Sequence, residues 1–422
     1  MTVKSFLGPY KNLPSSIFVI FFARVVNSAG HFVMPLMAIF LSDKLGFSTQ
    51  KTGFFMMLAS LGYVPGSFIG GKLADHVGRK KTFILFQALA AFSFIPCAFL
   101  GNSQIIPWLL VLSTVFGGAA SPANGAMVAD LTKSENRKEA YSLLYLGHNL
   151  GFAVGPMIAG MLYKNFFSWI FIGDALTTFI SITLVALLIP ETRPDHEKIK
   201  ENAHSLDINE KAESGSLLSA MAKRPMLIMF LFCIMLYSFV YVQSHFTLPL
   251  QMNQNFGVHG PKYYGFLMTT NALTVVIFTT LVTKITLKLK PIFCVGLGGL
   301  FYAAGFGMLF GIDRLHLFIF STFIWTIGEI LISTNGMAYV ANNTPVTHRG
   351  RFNAIVPIIA EAGHSLGPLL TGKYLMDHSI SSLWLLTLYG AFVVALLLFA
   401  LHFVENSKLR KSEQEKLEQN LS

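Results

Sequence analysis

Eight ionisable side chains interrupt otherwise apolar stretches of this 422-residue chain: Arg24, His31, His148, Asp174, His245, Glu329, Glu361 and His364. An ionisable group inside an apolar segment is costly, so each is a functional candidate by default. The chemistry open to them is proton exchange or holding a ligand of opposite charge. A carboxyl removed from water binds its proton more tightly, and histidine titrates near neutrality unaided. Glu361 and Glu329 are therefore the first proton-coupling candidates, followed by His364, His148 and His31. Arg24 cannot be discharged, which suits an anchor or counter-ion better than a proton carrier. The competing assignment for the histidines is structural, as buried groups that tie helices together. Cys97, Cys233 and Cys294 stand singly in apolar segments, without metal-ligand spacing, as small buried hydrophobes do. With no phosphate-binding loop, zinc-ligand spacing or nucleophile elbow, neither an enzyme nor a bound metal or organic cofactor is expected.

These residues need helices that aim them inward. Arg24, Asn27, Ser28, His31 and Pro35 fall on one helical face. Ser238, Tyr241, His245 and Pro249 make a matching stripe, as do Tyr145, His148, Asn149 and Phe152, and Glu361, His364, Ser365 and Pro368. A polar stripe on an apolar helix must face protein or water, never lipid. The predicted cavity thus takes Arg24, Asn27, His31, Tyr145, Asn149, Tyr241, His245, Asn271 and Ser365. The stripes recur in the chain. His31-Phe32-Val33-Met34-Pro35-Leu36 returns as His245-Phe246-Thr247-Leu248-Pro249-Leu250, and Gly147-His148-Asn149-Leu150-Gly151 as Gly363-His364-Ser365-Leu366-Gly367. Asn124-Gly125 returns as Asn335-Gly336. Short matches in one order at nearly one offset imply two related halves, as in transporters whose halves rock about a central site.

The setting is a membrane. Hydrophobic residues are 53% of the chain and charged ones 12%, against roughly 25% charged in soluble domains. Twelve apolar stretches are long enough to span: 15–41, 52–70, 82–100, 106–129, 140–162, 168–190, 225–250, 263–283, 291–311, 315–341, 352–372 and 382–403. If both termini are cytoplasmic, 24 of the 31 Lys and Arg residues lie on the cytoplasmic side and six opposite, with Arg24 inside the first stretch. That bias predicts both termini on the cytoplasmic side of a cell membrane. The net charge of +10 then reflects topology and attraction to anionic lipid, not a nucleic-acid partner. The expected organisation is a six-helix bundle over 1–192, a cytoplasmic linker over 193–222, a second bundle over 223–404, and a tail over 405–422. Mixed charge and few aromatics leave linker and tail flexible or partly helical.

Gly70-Gly71-Lys72-Leu73-Ala74-Asp75-His76-Val77-Gly78-Arg79-Lys80-Lys81, between the second and third stretches, resembles the signature loop of the major facilitator superfamily. The resemblance implies an all-α fold of twelve transmembrane helices in two pseudo-symmetric six-helix bundles. It also implies a cytoplasmic gate in which Asp75 and Arg79 pair with an acid at the end of the fourth helix, here Asp130, with Gly71 and Gly78 permitting the turn. The second half keeps neither the Gly nor the Asp of this loop. Gly147, Gly151, Gly155, Pro156 and Gly160 resemble the fifth-helix motif of the drug:proton antiporter branch, with Ala159 where the family has a second glycine. Their alternative is a packing seam. In the family the sixth helix is outer scaffold, which makes Asp174 structural.

Together these features predict a monomeric transporter, without cofactor and driven by a proton gradient, that exports small amphipathic molecules or drugs by antiport. A proton-coupled uptake symporter for a polar nutrient or peptide is the first alternative. A lipid or glycolipid flippase is the second; it would need lateral apolar grooves between the fifth and eighth or the second and eleventh helices.

Overall fold

The computed structural model describes residues 10–132, 136–192, 224–343 and 349–421. Every regular element among them is helical. In chain order they are α1 (Ser15–Ala29), α2 (Val33–Ile39), α3 (Thr49–Val77), α4 (Arg79–Cys97), α5 (Ile106–Asp130), α6 (Arg137–Phe152), α7 (Gly155–Leu162) and α8 (Phe167–Leu188). There follow α9 (Pro225–Tyr241), α10 (Thr247–Phe256), α11 (Gly260–Thr286), α12 (Pro291–Met308), α13 (Leu315–Asn343), α14 (Arg349–Tyr374) and α15 (Ile380–Leu421).

Eight helical segments among the described residues are long and apolar enough to cross a bilayer, short of the twelve expected. One of them, Pro225–Thr286, is a 62-residue run that joins the seventh and eighth stretches. The third, fifth and eleventh stretches form helices that do not reach that length and composition. Here α4 opens on Arg79-Lys80-Lys81, α6 on Arg137-Lys138-Glu139, and α14 carries Arg349, Arg351 and Glu361. The expected linker over 193–222 lies outside the described residues. The tail continues α15 as helix to Leu421, consistent with its strong helix formers and the lack of Gly or Pro after Gly390.

The repeated His-Phe-x-x-Pro marks two helix breaks. At the first, α1 ends at Ala29 and α2 begins at Val33, with His31 and Phe32 between them. At the second, α9 ends at Tyr241 and α10 begins at Thr247. In both places the proline is the third residue of the new helix, where its missing N–H leaves no hydrogen bond unmade.

Backbone contacts divide the chain into two compact units. One comprises Met1–Leu206, Gln243–Val276 and Gly367–Asp377; the other comprises Asp207–Val242, Ile277–Leu366 and His378–Ser422. In the first, Ile17, Ile20 and Ala23 of α1 bury against Ala119, Ala123 and Met127 of α5 and Leu143 of α6. Glycines let backbones touch: a Cβ on Gly66 or Gly70 of α3 would overlap the carbonyls of Val115 and Ala119 on α5. The second unit centres on Phe306, stacked on Trp325 at 5.3 Å and on Trp384 at 6.0 Å.

Candidate functional site

A cavity of about 430 Å³ lies in the first unit. Helices α1, α3, α4, α5, α6 and α8 all contribute to its wall, which mixes polar and ionisable side chains with apolar ones such as Phe83 and Phe94. Arg24, Asn27 and His31 line it from the first span, His148 from α6, Gln87 from α4, and Asp174 and Thr178 from α8. Asn27 donates to Thr178 Oγ1 at 3.1 Å, and Ser28 Oγ lies 3.0 Å from His148 Nδ1. The rings of His31 and His148 stand 6.2 and 5.8 Å from that of Phe152. Arg24 has no hydrogen-bond or ion-pair partner among the described residues. A fixed positive charge therefore faces the cavity.

Asp174, read from sequence as scaffold, belongs to this wall. Its Oδ2 accepts the amides of Phe32 and Val33 at 3.2 Å each, the donors freed by the first helix break. Nothing local in sequence connects residues 142 positions apart.

The remaining predicted cavity residues lie elsewhere. Half of Tyr145 is exposed, and Asn149 donates to the Tyr145 carbonyl at 3.0 Å along its own helix. His245 Nδ1 lies 3.4 Å from Tyr264 Oη, and Asn271 is buried away from the cavity. In the second unit Tyr241 donates to Glu329 Oε1 at 3.2 Å beside Tyr302 and Trp325. Glu361 Oε1 lies 3.8 Å from His364 Nδ1 and accepts from Ser365 Oγ at 3.4 Å. Each of the two glutamates thus lies next to a hydroxyl.

The glycines of the fifth stretch press directly on neighbours. A Cβ on Gly151 would overlap the Val25 carbonyl, one on Gly155 would sit 2.9 Å from the Ser28 carbonyl, and one on Gly160 would overlap Pro261 O on α11. Gly147 packs on Phe21, and the Pro156 carbonyl meets Gly265. Thr269 of α11 donates to the Ala153 carbonyl at 2.6 Å. The starting turn of α3 likewise meets the end of α14, where Thr49 donates to the Gly372 carbonyl at 2.8 Å. At these ends the two helix pairs a lateral groove would separate are in backbone contact.

At the expected gate, Arg79 pairs with Asp130, both partly buried. The side chain of Asp75 lies outside the described residues. Gly71 lies alongside Pro122 of α5. Gly78 takes a φ of 118°, a conformation that favours glycine, and turns α3 sharply into α4. Sequence reasoning missed Glu191. Helix α4 starts with three cationic residues, the wrong sign for a helix N-terminus. The Glu191 carboxylate supplies the missing charge, accepting the amides of Arg79 at 2.7 Å, Lys80 at 3.2 Å and Lys81 at 3.4 Å. Partial burial raises its pKa, but these amides and that of Thr192 together outweigh burial and hold it below the usual carboxylate value. A depressed pKa contributes stability above the ordinary carboxylate pKa, lost as pH falls through the lower, folded one. Only the Pro190-Glu191-Thr192 stop after the sixth stretch hinted at it. Glu191→Ala should destabilise the protein by about 1 kcal/mol, the usual cost of a lost cap. In thermal unfolding the difference from wild type should hold at neutral pH and vanish in strong acid. A difference that persists in strong acid would remove the carboxylate from the explanation.

The family model described as Major Facilitator Superfamily matches residues 16–334 and 245–421. The uncharacterized MFS-type transporter YttB of Bacillus subtilis is 26% identical over 375 residues, 87% of this chain and 89% of that one. A Na(+), Li(+), K(+)/H(+) antiporter of Planococcus maritimus is 21% identical, covering 88% of this chain and 95% of that one. Among solved structures, a POT family transporter in complex with 5-aminolevulinic acid superposes with a TM-score of 0.75 over 92% of this chain and 96% of that one, at 15% identity. That likeness concerns the fold.

Proposed function

The chain belongs to the Major Facilitator Superfamily, and from that premise we propose that it exports small amphipathic molecules in exchange for protons by alternating access. It is a membrane-embedded transporter and not an enzyme. The observation that carries the reading is the cavity of about 430 Å³ that gathers Arg24, His31, His148 and Asp174 within apolar helices. Ionisable groups gathered at membrane depth are costly and are functional candidates by default. We assign the cavity to the substrate, whose anionic or zwitterionic group lies toward Arg24. The antiporter relative and the glycine motif of α6 and α7 favour exchange over uptake.

On this reading the twelve apolar stretches form two six-helix bundles over 1–192 and 223–404, joined by the linker 193–222, with both termini in the cytoplasm of a monomeric plasma-membrane protein. Arg79, Asp130 and Asp75 form the cytoplasmic latch. The close contacts of α7 with α11 and of α3 with α14 form the outer gate. Glu361, Glu329 and His364 are candidates to carry the proton in the second unit, with His148 and His31 in the first.

Direction of transport tests the proposal. Inverted membrane vesicles with an acidic interior should accumulate a fluorescent amphipathic carboxylate such as dansylglycine in a manner that depends on this protein. Accumulation only in right-side-out vesicles with an acidic exterior would establish the uptake symporter instead.

A further inference from the structure

We propose that Asp174 is the proton-coupling carboxyl of the first unit, acting by gripping or releasing the break in the first span and so reshaping the cavity that contains Arg24. The proposal deepens the reading of this cavity as the transport site of a proton-coupled carrier and rests on it.

Asp174 lies seven residues into α8, about 10 Å along its axis, and is 5% exposed. It is the only buried charged residue among the described ones. No cationic side chain among them comes within ion-pair distance. A buried charge survives only if its surroundings compensate it. Here the compensation is two amides, and both belong to residues where α1 has stopped and α2 is starting.

Ionised, the carboxylate holds both amides through charge-assisted bonds. Once protonated it is a weaker acceptor with a proton of its own to place. Binding one proton therefore loosens the hold on Phe32 and Val33, the residues about which α1 and α2 can bend. His31, next to them, lines the cavity, so the bend and the chamber cannot move separately. The groups facing the cavity with Asp174 are Arg24 and His31 from the first span, Tyr63 from α3 and His148 from α6, while α4 and α5 present the neutral Gln87 and Asn124.

The second break is bridged by different side chains. There Thr247 donates to Gln243 Oε1 at 2.6 Å, and Gln243 donates to Thr371 Oγ1 at 3.0 Å. These amides and hydroxyls do not titrate. The two repeats share one kink, and at the first a carboxylate holds the freed amides.

The test uses the full-length protein reconstituted in liposomes. Binding of dansylglycine is measured from pH 5 to pH 9 for wild type, Asp174→Asn and Asp174→Glu. The proposal expects affinity in wild type to change at least tenfold across this range, Asp174→Asn to flatten that dependence while still binding, and Asp174→Glu to keep it. Wild-type pH dependence in Asp174→Asn overturns it. The sign of the wild-type dependence separates the two ideas. Affinity that falls in acid fits exchange, whereas affinity that rises in acid rejects the efflux reading and leaves Asp174 as the coupling group. Infrared spectra of wild type labelled with carboxyl-13C aspartate decide the matter if the variant does not fold or the dye does not bind. A buried aspartic-acid band that titrates supports the proposal, and absence of any such band overturns it.

Discussion

Arg24→Ala should weaken the binding of carboxylate-bearing amphipaths by about ten- to a hundredfold and leave neutral analogues within about twofold. The magnitude follows from one hydrogen-bonded charge, worth about 1.5–3 kcal/mol, at 1.4 kcal/mol per tenfold. Arg24 stands on the cavity wall with no partner inside the protein among the described residues, so its loss leaves no buried carboxylate stranded. The fold should therefore be indifferent to the change, and the effect should fall on the ligand alone. Arg24→Lys should recover part of the affinity, because a point charge replaces a planar fork but keeps the sign. Binding of dansylglycine and of its uncharged amide to purified protein measures the difference. Equal loss for both compounds would show that Arg24 shapes the chamber without reading charge.

Gly70→Ala and Gly125→Ala apply the same chemical change to two helical glycines and should have opposite consequences. At Gly70 the new methyl would overlap the Ala119 carbonyl, backbone that cannot swing aside. Helices α3 and α5 must then part along the line of Gly66, Gly70 and Gly118, where their main chains touch. Overpacking of this kind costs about 1–3 kcal/mol, and Gly70→Val should cost more and leave little folded protein. At Gly125 nothing lies within 4 Å of the added atom, so only the helix propensity changes, in favour of alanine by roughly 1 kcal/mol. Thermal unfolding followed by size-exclusion chromatography reads both. Comparable melting temperatures for the two alanine variants would refute the close crossing.

Several features were open to the sequence because local chemistry decides them. Low charge and long apolar runs demand a helical membrane protein, since only helices or closed barrels satisfy their own backbone in lipid. The asymmetric Lys and Arg content of the loops leads by the same local logic to the expectation of cytoplasmic termini. The loop from Gly70 to Lys81 carries the family, and Arg79 does reach Asp130. The polar face of the first stretch, with Arg24, Asn27 and His31, needed only helical geometry, and those residues do line one cavity. Counting spans by hydropathy was less secure. Helices such as α4 and α14 carry charge into their ends, and the seventh and eighth stretches are joined in one 62-residue helical run.

Other assignments depended on residues far apart in the chain. The motif His31-Phe32-x-x-Pro35 was visible as a repeat, but that it breaks a helix depends on which acceptor the freed amides meet. That acceptor, Asp174, is 142 residues from Phe32. Glu191 caps α4 from 112 residues beyond Arg79, and its own neighbourhood shows only a helix stop. Tyr145 and Asn149 sat on a face that periodicity allowed for the cavity, yet rotation of α6 against α1, set by Gly147 and Gly151, turned His148 inward instead. Periodicity tells which side chains share a face of a helix. Which face points at the chamber is decided by where backbones can approach, and that is a property of two helices at once.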